Sequence, residues 1–203
     1  MERETHIYLA DKIHERLVLD FPMAFSRDLF RIANVEPDQL CQSILHPHFA
    51  NWSFAYIENQ IALLAEERLC IGDSIQKDFV VRLGRITHYL CDFFCQVHIG
   101  SRLLRVREHV AYEGCLNQVI QEQPRYFDRI CRSASPPAAQ PALSIRRLYD
   151  HCLHQYLQQP VGFERDMKAA TWISVQLAGS IMQQCLNNAG AVSLRLSSIS
   201  AYL

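Results

Sequence analysis

Two residue pairs in the middle of the chain combine the side-chain types and the spacing that a metal site needs. His88 and Asp92 lie four positions apart, and His109 and Glu113 repeat this spacing further along the chain. On an α-helix, residues i and i+4 project from the same face about one turn apart. Imidazole and carboxylate groups bind catalytic zinc firmly and leave a coordination position for water. The two pairs therefore indicate a metal site of the kind that catalyses hydrolysis.

A further histidine, His98, lies between the two pairs. A hairpin of two helices would bring the pairs together and leave His98 near the turn. A single His-x3-Asp pair on a helix more often makes a surface hydrogen bond than a metal site. The doubled pattern with an intervening histidine is rarer by chance, and it therefore adds weight to the metal site without deciding for it.

Two cysteines near the motif are further candidates for metal ligands. Cys91 and Cys95 share a helical face with His88 and His98 if one helix runs through all four residues. One rigid helix cannot wrap four ligands tetrahedrally around zinc, because residues 88 and 98 are then about 15 Å apart along its axis. Both cysteines are therefore predicted to pack in the core.

The segment around these pairs resembles the zinc-dependent phospholipase C family. That family has the pattern His-Tyr-Leu-x-Asp-x5-His, followed by His-x2-Tyr-Glu. This chain has His88-Tyr-Leu-Cys-Asp92-Phe-Phe-Cys-Gln-Val-His98 and then His109-Val-Ala-Tyr-Glu113, with the same internal spacings. The resemblance implies an all-α fold, zinc as the cofactor and a phosphate ester as the substrate.

Two upstream segments are similar to the same family. The stretch Thr5-His6-Ile-Tyr-Leu-Ala-Asp-Lys-Ile13 is similar to its first-helix histidine and the apolar stripe that follows. Pro37-Asp38 and Pro47-His48-Phe49 are similar to its aspartate and its His-Phe loop. The resemblance covers residues 5–115 and implies the following metal ligands: His6, Asp38, His48, His88, Asp92, His98, His109 and Glu113.

The resemblance also implies how the ligands are divided among two or three zinc ions. The sets are Asp38, His48, His88 and Asp92 for the first ion, His98, His109 and Glu113 for the second, and His6 with Asp92 for the third. Asp92 would thus bridge two metals. Asp38 and Asp92 are the implied catalytic residues, and Asp38 could accept a proton from the attacking water. Such ions neutralise phosphate oxygens, acidify water and stabilise the departing alkoxide.

The chain departs from the family pattern at its beginning. Secreted members free an N-terminal Trp whose amino group and carbonyl complete the third site, whereas this sequence starts at Met1 and has only Trp52 and Trp172. The Met1 amine lies a few residues before His6 and could substitute for it. Otherwise the third site is weak or completed by water, which leaves a two-zinc protein. No motif aligns with the choline-headgroup pocket of the family.

The remaining histidines allow one alternative ligand. His46 could take the place of His48, but Phe49 follows His48 as it does in the family. The histidines interpreted as surface or core residues are His14, His151 and His154.

Arginines and tyrosines near the motif have simpler interpretations than catalysis. Arg102, Arg105 and Arg107 lie between its two halves and could steer a phosphate, but solvated helix positions are the favoured interpretation. Tyr89 and Tyr112 adjoin ligands, and we expect them to pack or to orient those ligands.

The composition favours a globular all-α protein. Of the 203 residues, 49% are hydrophobic and 20% are charged, and there are only 7 Gly and 8 Pro. Apolar residues recur at helical spacing, which favours helices over a turn-rich sheet protein. We predict a single-domain helical bundle over residues 1–203. Its ligand core spans 5–115, its C-terminal helices lie within 143–188, and residues 189–203 form a loosely attached tail.

Periodicity and end signals predict the helices that position the ligands. They span residues 5–20, 26–33, 52–71, 75–100, 102–122, 124–132, 143–158 and 163–188. Ser26 is the expected N-cap of the second helix. Gly72 is expected to end the third, and Asp73 or Ser74 to cap the fourth. Loops are predicted at 34–51, where two prolines interrupt helical hydrogen bonding, and at 133–141.

Zinc-dependent hydrolysis of a phosphate ester, for example of a phospholipid headgroup, is the leading functional hypothesis. The alternatives are a nuclease, since single-strand-specific nucleases share this helical zinc fold, and a metal-binding protein without hydrolytic activity. A net charge of −1 gives no support to an obligatory nucleic-acid partner. With no secretory signal and no apolar run of about 18 residues, we expect a cytoplasmic location, no transmembrane segment, and mostly buried thiols among the eight cysteines.

Overall fold

The computed structural model describes residues 1–21, 25–39, 42–70, 75–99, 106–133 and 145–200, without the side chains of 42–43 and 191–200. Every regular element in these ranges is a helix, which confirms the predicted all-α class. The elements are α1 (Arg3–Asp20), α2 (Arg27–Ala33), α3 (Glu36–Gln39), α4 (Gln42–Leu45), α5 (Ala50–Ala65), α6 (Lys77–Phe93), a 3-10 helix (Gln96–His98), α7 (Val106–Glu122), α8 (Pro124–Ser133), α9 (Ile145–Leu157) and α10 (Phe163–Ser200).

Helix α6 is the centre of the bundle, in contact with α1, α2, α5 and α10. Its apolar residues recur at helical spacing, and Phe79, Leu83, Ile86 and Leu90 are all buried. Helix α10 runs along the other side of the core and also contacts α1, α5, α8 and α9. An apolar stripe at helical spacing is buried on this helix as well, and comprises Met167, Ala170, Ile173, Leu177, Ile181 and Cys185. Both helices are thus held mainly by burial of apolar surface.

The contact between α2 and α6 depends on a glycine. A Cβ atom at Gly84 would lie 2.5 Å from the Cβ of Ala33 and 3.2 Å from the carbonyl oxygen of Phe30. Neither of these atoms is the mobile end of a long side chain, so the two helices would have to separate. Gly84 therefore sets how closely α2 approaches the helix that carries His88 and Asp92.

We expect Gly84→Ala to destabilise the protein. The overpacking cost of about 1–3 kcal/mol exceeds the gain in helix propensity of up to about 1 kcal/mol. The matched control is Gly179→Ala in α10, where a Cβ would meet only the ring of Phe21 at an ordinary 3.5 Å. Urea unfolding should show a lower midpoint for Gly84→Ala and an equal or higher one for Gly179→Ala. A Gly84→Ala variant as stable as Gly179→Ala would contradict the close approach.

Two helices end earlier than predicted because tertiary contacts satisfy their last backbone groups. Helix α5 ends at Ala65, not at residue 71. The side-chain amide of Asn188 donates to the carbonyls of Ala65 (3.0 Å) and Glu67 (3.1 Å), and the Leu69 amide donates to Cys185 (3.2 Å). The predicted terminator Gly72 and the predicted caps Asp73 and Ser74 lie outside the described residues.

Helix α6 ends at Phe93, not near residue 100. The amide of Gln96 donates to the side chain of Asp166 at 2.8 Å and so leaves the helical hydrogen-bonding pattern. The 3-10 helix that follows carries His98, so His88 and His98 do not lie on one continuous helix. Cys91 and Cys95 are fully buried, as predicted.

Two further predictions about helix ends are corrected. The predicted loop 34–51 contains α3 and α4, and Pro37 fits the first turn of α3 because an amide there has no partner within the helix. Helix α10 continues to Ser200, where the sequence predicts an end at 188 and a tail. The predicted N-cap is confirmed, since the Ser26 hydroxyl accepts a hydrogen bond from the Leu29 amide at 3.2 Å.

The structure also bears on the cysteines and on membrane crossing. Cys91, Cys95, Cys131, Cys152 and Cys185 are buried free thiols, as expected, whereas Cys70 and Cys115 are exposed, and Cys41 lies outside the described residues. None of the helices in the described ranges combines the length and the apolar character that a bilayer crossing needs.

Candidate metal centre

The first group of candidate metal ligands, called the first ligand group below, lies where α6 meets α3 and the segment before α5. Asp38, His48, His88 and Asp92 each offer one ligand atom, and these atoms lie within 4.8 Å of one another. His88 and Asp92 come from the predicted i, i+4 pair on α6, while Asp38 is on α3 and His48 precedes α5. The group thus joins one local pair to two residues that are distant in sequence.

The second ligand group joins the 3-10 helix to α7. Its members are His98, His109 and Glu113, again with ligand atoms within 4.8 Å of one another. The Oε1 atom of Glu113 lies 2.9 Å from Nε2 of His98 and 2.8 Å from Nε2 of His109. The two imidazoles and the carboxylate therefore converge on one small volume.

Asp92, a member of the first group, is fully buried and also approaches the second group. Its Oδ2 atom faces the first group, at 3.1 Å from Nδ1 of His48 and 3.4 Å from Nε2 of His88. Its Oδ1 atom faces the other way, at 3.3 Å from Nε2 of His6 and 4.0 Å from Nε2 of His98. One carboxylate thus presents its two oxygens to different sets of ligand atoms.

The amino group of Met1 reaches the same place. It lies 2.6 Å from Oδ1 of Asp92 and 2.9 Å from Oε1 of Glu113. Burial acts to lower the pKa of this amine, but the charges of Asp92 and Glu113 raise it to about 12. In a chain that begins at Met1, an ammonium group therefore lies beside His6 and neutralises the carboxylates.

Two backbone carbonyls orient ligand histidines. The Nδ1 atom of His88 is 2.7 Å from the carbonyl oxygen of Asn34, and Nδ1 of His98 is 2.7 Å from that of His48. An imidazole that donates from Nδ1 leaves the lone pair of Nε2 free for a metal, which is the arrangement common in metalloproteins. The side-chain amide of Asn34 in turn donates to the carbonyl of Phe30 at 2.9 Å. Both rings are thus fixed in a ligating orientation.

The residues present fit a zinc centre by the chemistry of their unsatisfied atoms. Buried side-chain atoms of four of them lack a hydrogen-bond partner among the described residues: both ring nitrogens of His6, Nε2 of His48, Nε2 of His88 and Oδ2 of Asp92. Unpartnered buried polar atoms are costly, and their concentration in one place is explained by an ion that they coordinate. Nitrogen and carboxylate oxygen together are the ligand set of catalytic zinc.

The electrostatics of the metal-free site favour the protonation states that coordination requires at His88 and Asp92, but not at Asp38 and His48, whose pKa values are raised. Burial, followed by the charge of nearby His6, holds the pKa of His88 well below its ordinary value, so the ring is neutral. Burial acts to raise the pKa of Asp92, but the Met1 ammonium and His98 bring it well below its ordinary value. Burial and then the charge of Asp92 raise the pKa of Asp38. Neutral imidazole and ionised carboxylate are the forms that bind metals.

Comparison with known families agrees with this geometry. A sequence model of the family described as zinc dependent phospholipase C matches residues 5–159. The chain belongs to this family. No curated protein and no solved structure matches the chain significantly. The zinc dependent phospholipase C match includes every ligand position predicted from the sequence, from His6 to Glu113, and it ends before α10.

The structure also places the residues considered as alternatives. The ring of His46 stacks on Tyr56 at 3.7 Å between ring centroids and lies outside both ligand groups. His14 contacts the carbonyl of Phe25 at 3.1 Å, while His151 and His154 are exposed. Arg107 is exposed, and Arg102 and Arg105 lie outside the described residues.

One part of the site was missed by sequence reasoning. Asp166, near the start of α10, accepts hydrogen bonds from Gln96 and from Tyr112, which is next to Glu113. The C-terminal helices carry no motif, and a single Asp in the first turn of a helix ordinarily indicates only a favourable interaction with the helix dipole. No signal in one sequence could have identified it.

Proposed function

We propose that this chain is a zinc-dependent phosphoric ester hydrolase of the phospholipase C type. The observation that carries the proposal is the presence of two neighbouring ligand groups, which approach each other where Oδ1 of the buried Asp92 lies 4.0 Å from Nε2 of His98. Phosphate-ester hydrolysis needs positive charge on both the attacking and the leaving side of the phosphorus, which two neighbouring ions provide. Membership of the zinc dependent phospholipase C family supports the same reaction.

In this proposal the first and third ions share Asp92, and every other ligand belongs to a single ion. The sets are Asp38, His48, His88 and Asp92 for the first ion and His98, His109 and Glu113 for the second. A third ion would take His6, Oδ1 of Asp92 and the Met1 amine after that amine loses its proton. A residue preceding Met1 would convert the amine to an amide and leave two ions.

When bound, zinc supplies the charge that stabilises phosphoryl oxygens and lowers the pKa of water. The chain itself contributes a proton acceptor and a protected environment. The side chain of Asp38 is 32% exposed, so its carboxylate is accessible to water and can accept a proton during attack. Asp92 is inaccessible to solvent and acts by holding charge between the groups. The ring of Phe49 lies 5.3 Å from that of His98 and forms an apolar wall beside the second group.

Two neighbouring histidines provide a direct test. His48→Ala should lower zinc-dependent hydrolysis of a chromogenic phosphodiester by more than about 100-fold, because losing a partner that merely orients a ligand already costs about 10- to 100-fold. It should also remove one equivalent of zinc. His46→Ala is the matched control, since His46 stacks on Tyr56 away from both groups and should retain metal content and rate.

The substrate panel should contain the phosphodiester, a phosphocholine ester and single-stranded DNA. Turnover of the phosphocholine ester would indicate a phospholipid headgroup as the substrate. A preference for DNA would replace this proposal with the nuclease alternative. A wild-type chain that binds zinc but turns over none of the three would leave a metal-binding protein without hydrolytic activity.

A further inference from the structure

A buried carboxylate outside the metal centre connects the parts of the chain that supply its second ligand group. Asp166 is fully buried near the start of α10, beyond the residues that match the family. A buried carboxylate is costly unless its oxygens are hydrogen-bonded and its charge is balanced. Asp166 meets both conditions, since it accepts four hydrogen bonds, and one of the donors is the guanidinium of Arg165.

The Oδ2 atom of Asp166 binds the two segments that carry the second ligand group. It accepts a hydrogen bond from the Gln96 amide at 2.8 Å and another from the Tyr112 hydroxyl at 2.7 Å. Gln96 begins the 3-10 helix that ends at His98, and Tyr112 directly precedes Glu113 on α7. One oxygen atom therefore fixes the 3-10 helix relative to α7.

The Oδ1 atom of Asp166 has different partners. It accepts hydrogen bonds from the Tyr156 hydroxyl at 2.7 Å and from Nε of Arg165 at 3.3 Å. Tyr156 belongs to α9, which supplies no metal ligand. Arg165 is 8% exposed and also donates to the side chain of Gln96. The Oδ1 side thus secures the carboxylate, while the Oδ2 side holds the ligand segments.

We propose that Asp166 is a positioning residue that sets the separation of His98 and Glu113, and thereby the affinity of the second metal site. Of the proposed function, this inference requires only that the second ligand group binds a metal. His98 comes from a short 3-10 helix with little hydrogen bonding of its own, and Glu113 comes from a separate helix. Metal affinity depends on how well ligands are held before the ion arrives. The carboxylate of Asp166 provides that preorganisation without touching the ion.

Two tyrosine variants separate this role from general stabilisation. Tyr112→Phe and Tyr156→Phe each remove one hydroxyl that donates to Asp166 at 2.7 Å, the first from the ligand-bearing α7 and the second from α9. The metal-free protein would be titrated with Co²⁺, whose visible absorption reports ligand geometry, and with Zn²⁺ against a competing chelator. A His109→Ala variant identifies which absorption band belongs to the second site.

We expect Tyr112→Phe to weaken the second site about tenfold and Asp166→Asn to weaken it by about 10- to 100-fold, with an altered Co²⁺ band in both. Tyr156→Phe should leave the affinity of the second site and the Co²⁺ band unchanged. Its melting temperature should nevertheless fall at least as much as that of Tyr112→Phe. Equal effects of the two tyrosine variants on affinity, or no effect of Tyr112→Phe, would overturn the inference. If wild type binds both ions and hydrolyses no ester, the proposed function fails while this comparison still decides the inference. A wild-type chain that takes up no metal overturns both.

Discussion

Asp92→Asn is expected to remove more than one equivalent of zinc and to lower phosphoesterase activity by about 10³-fold or more. The carboxylate is fully buried, with Oδ2 at 3.1 Å from His48 and Oδ1 at 3.3 Å from His6. Asparagine has nearly the same size, but it removes the negative charge that balances two dications and replaces one oxygen by an NH₂ group that cannot ligate. Metal analysis after dialysis and turnover of a phosphodiester measure the two effects.

His6→Ala is the control that separates a shared ligand from a terminal one. His6 is fully buried and faces only Oδ1 of Asp92 among the ligand carboxylates, so its loss should remove at most the third ion. The ions of the two main groups should remain, and a circular dichroism melt should show that both variants are folded. An Asp92→Asn variant with full metal content and normal turnover would refute the bridging role and the catalytic proposal that depends on it.

Removal of the metals is expected to lower the melting temperature strongly. An ion present at about 1,000 times its Kd stabilises the native state by about 4 kcal/mol, which corresponds to about 8–16 °C for a protein of this size. The metal-free site leaves the carboxylates of Asp92 and Glu113 close together in a buried region, with only the Met1 ammonium and histidine rings to balance them. Scanning calorimetry before and after chelation measures the shift.

Readdition of Zn²⁺ after the chelator has been dialysed away should restore the original melting curve. This control excludes a direct effect of the chelator on the protein. A melting temperature that does not change after complete demetallation would argue against a buried metal cluster, whatever the activity measurements show.

The parts of the site that could be predicted from residue spacing alone are those that local helical geometry determines, whereas His6, Asp38 and His48 were predicted only from the resemblance to the family. His88 and Asp92 share a helical face because a helix places residues i and i+4 one turn apart, and His109 and Glu113 follow the same rule. The apolar stripes of α6 and α10 were equally predictable from their spacing. The predicted cytoplasmic location and the single domain stay predictions.

The helix ends could not be predicted as well, because distant residues compete for the terminal backbone groups. The Gln96 amide leaves α6 for the carboxylate of Asp166, and Asn188 caps the end of α5. Neither partner is close in sequence, so no local propensity reveals the competition. Each such bond shifts a helix end, because a backbone amide or carbonyl that is hydrogen-bonded outside the helix is not left unsatisfied when the helix stops.

The sequence by itself determined which residues are chemically able to bind zinc and which of them lie on a common helical face. Only the tertiary structure decided that Asp92 presents its two oxygens to different groups, that the Met1 amine lies 2.6 Å from it, and that Asp166 joins the segments of His98 and Glu113. These features depend on the packing of α1, α6, α7 and α10, whose relative positions are fixed by burial of side chains far apart in the chain. The residue types of the metal centre can therefore be read from the sequence, whereas their spatial arrangement is set by the packed core.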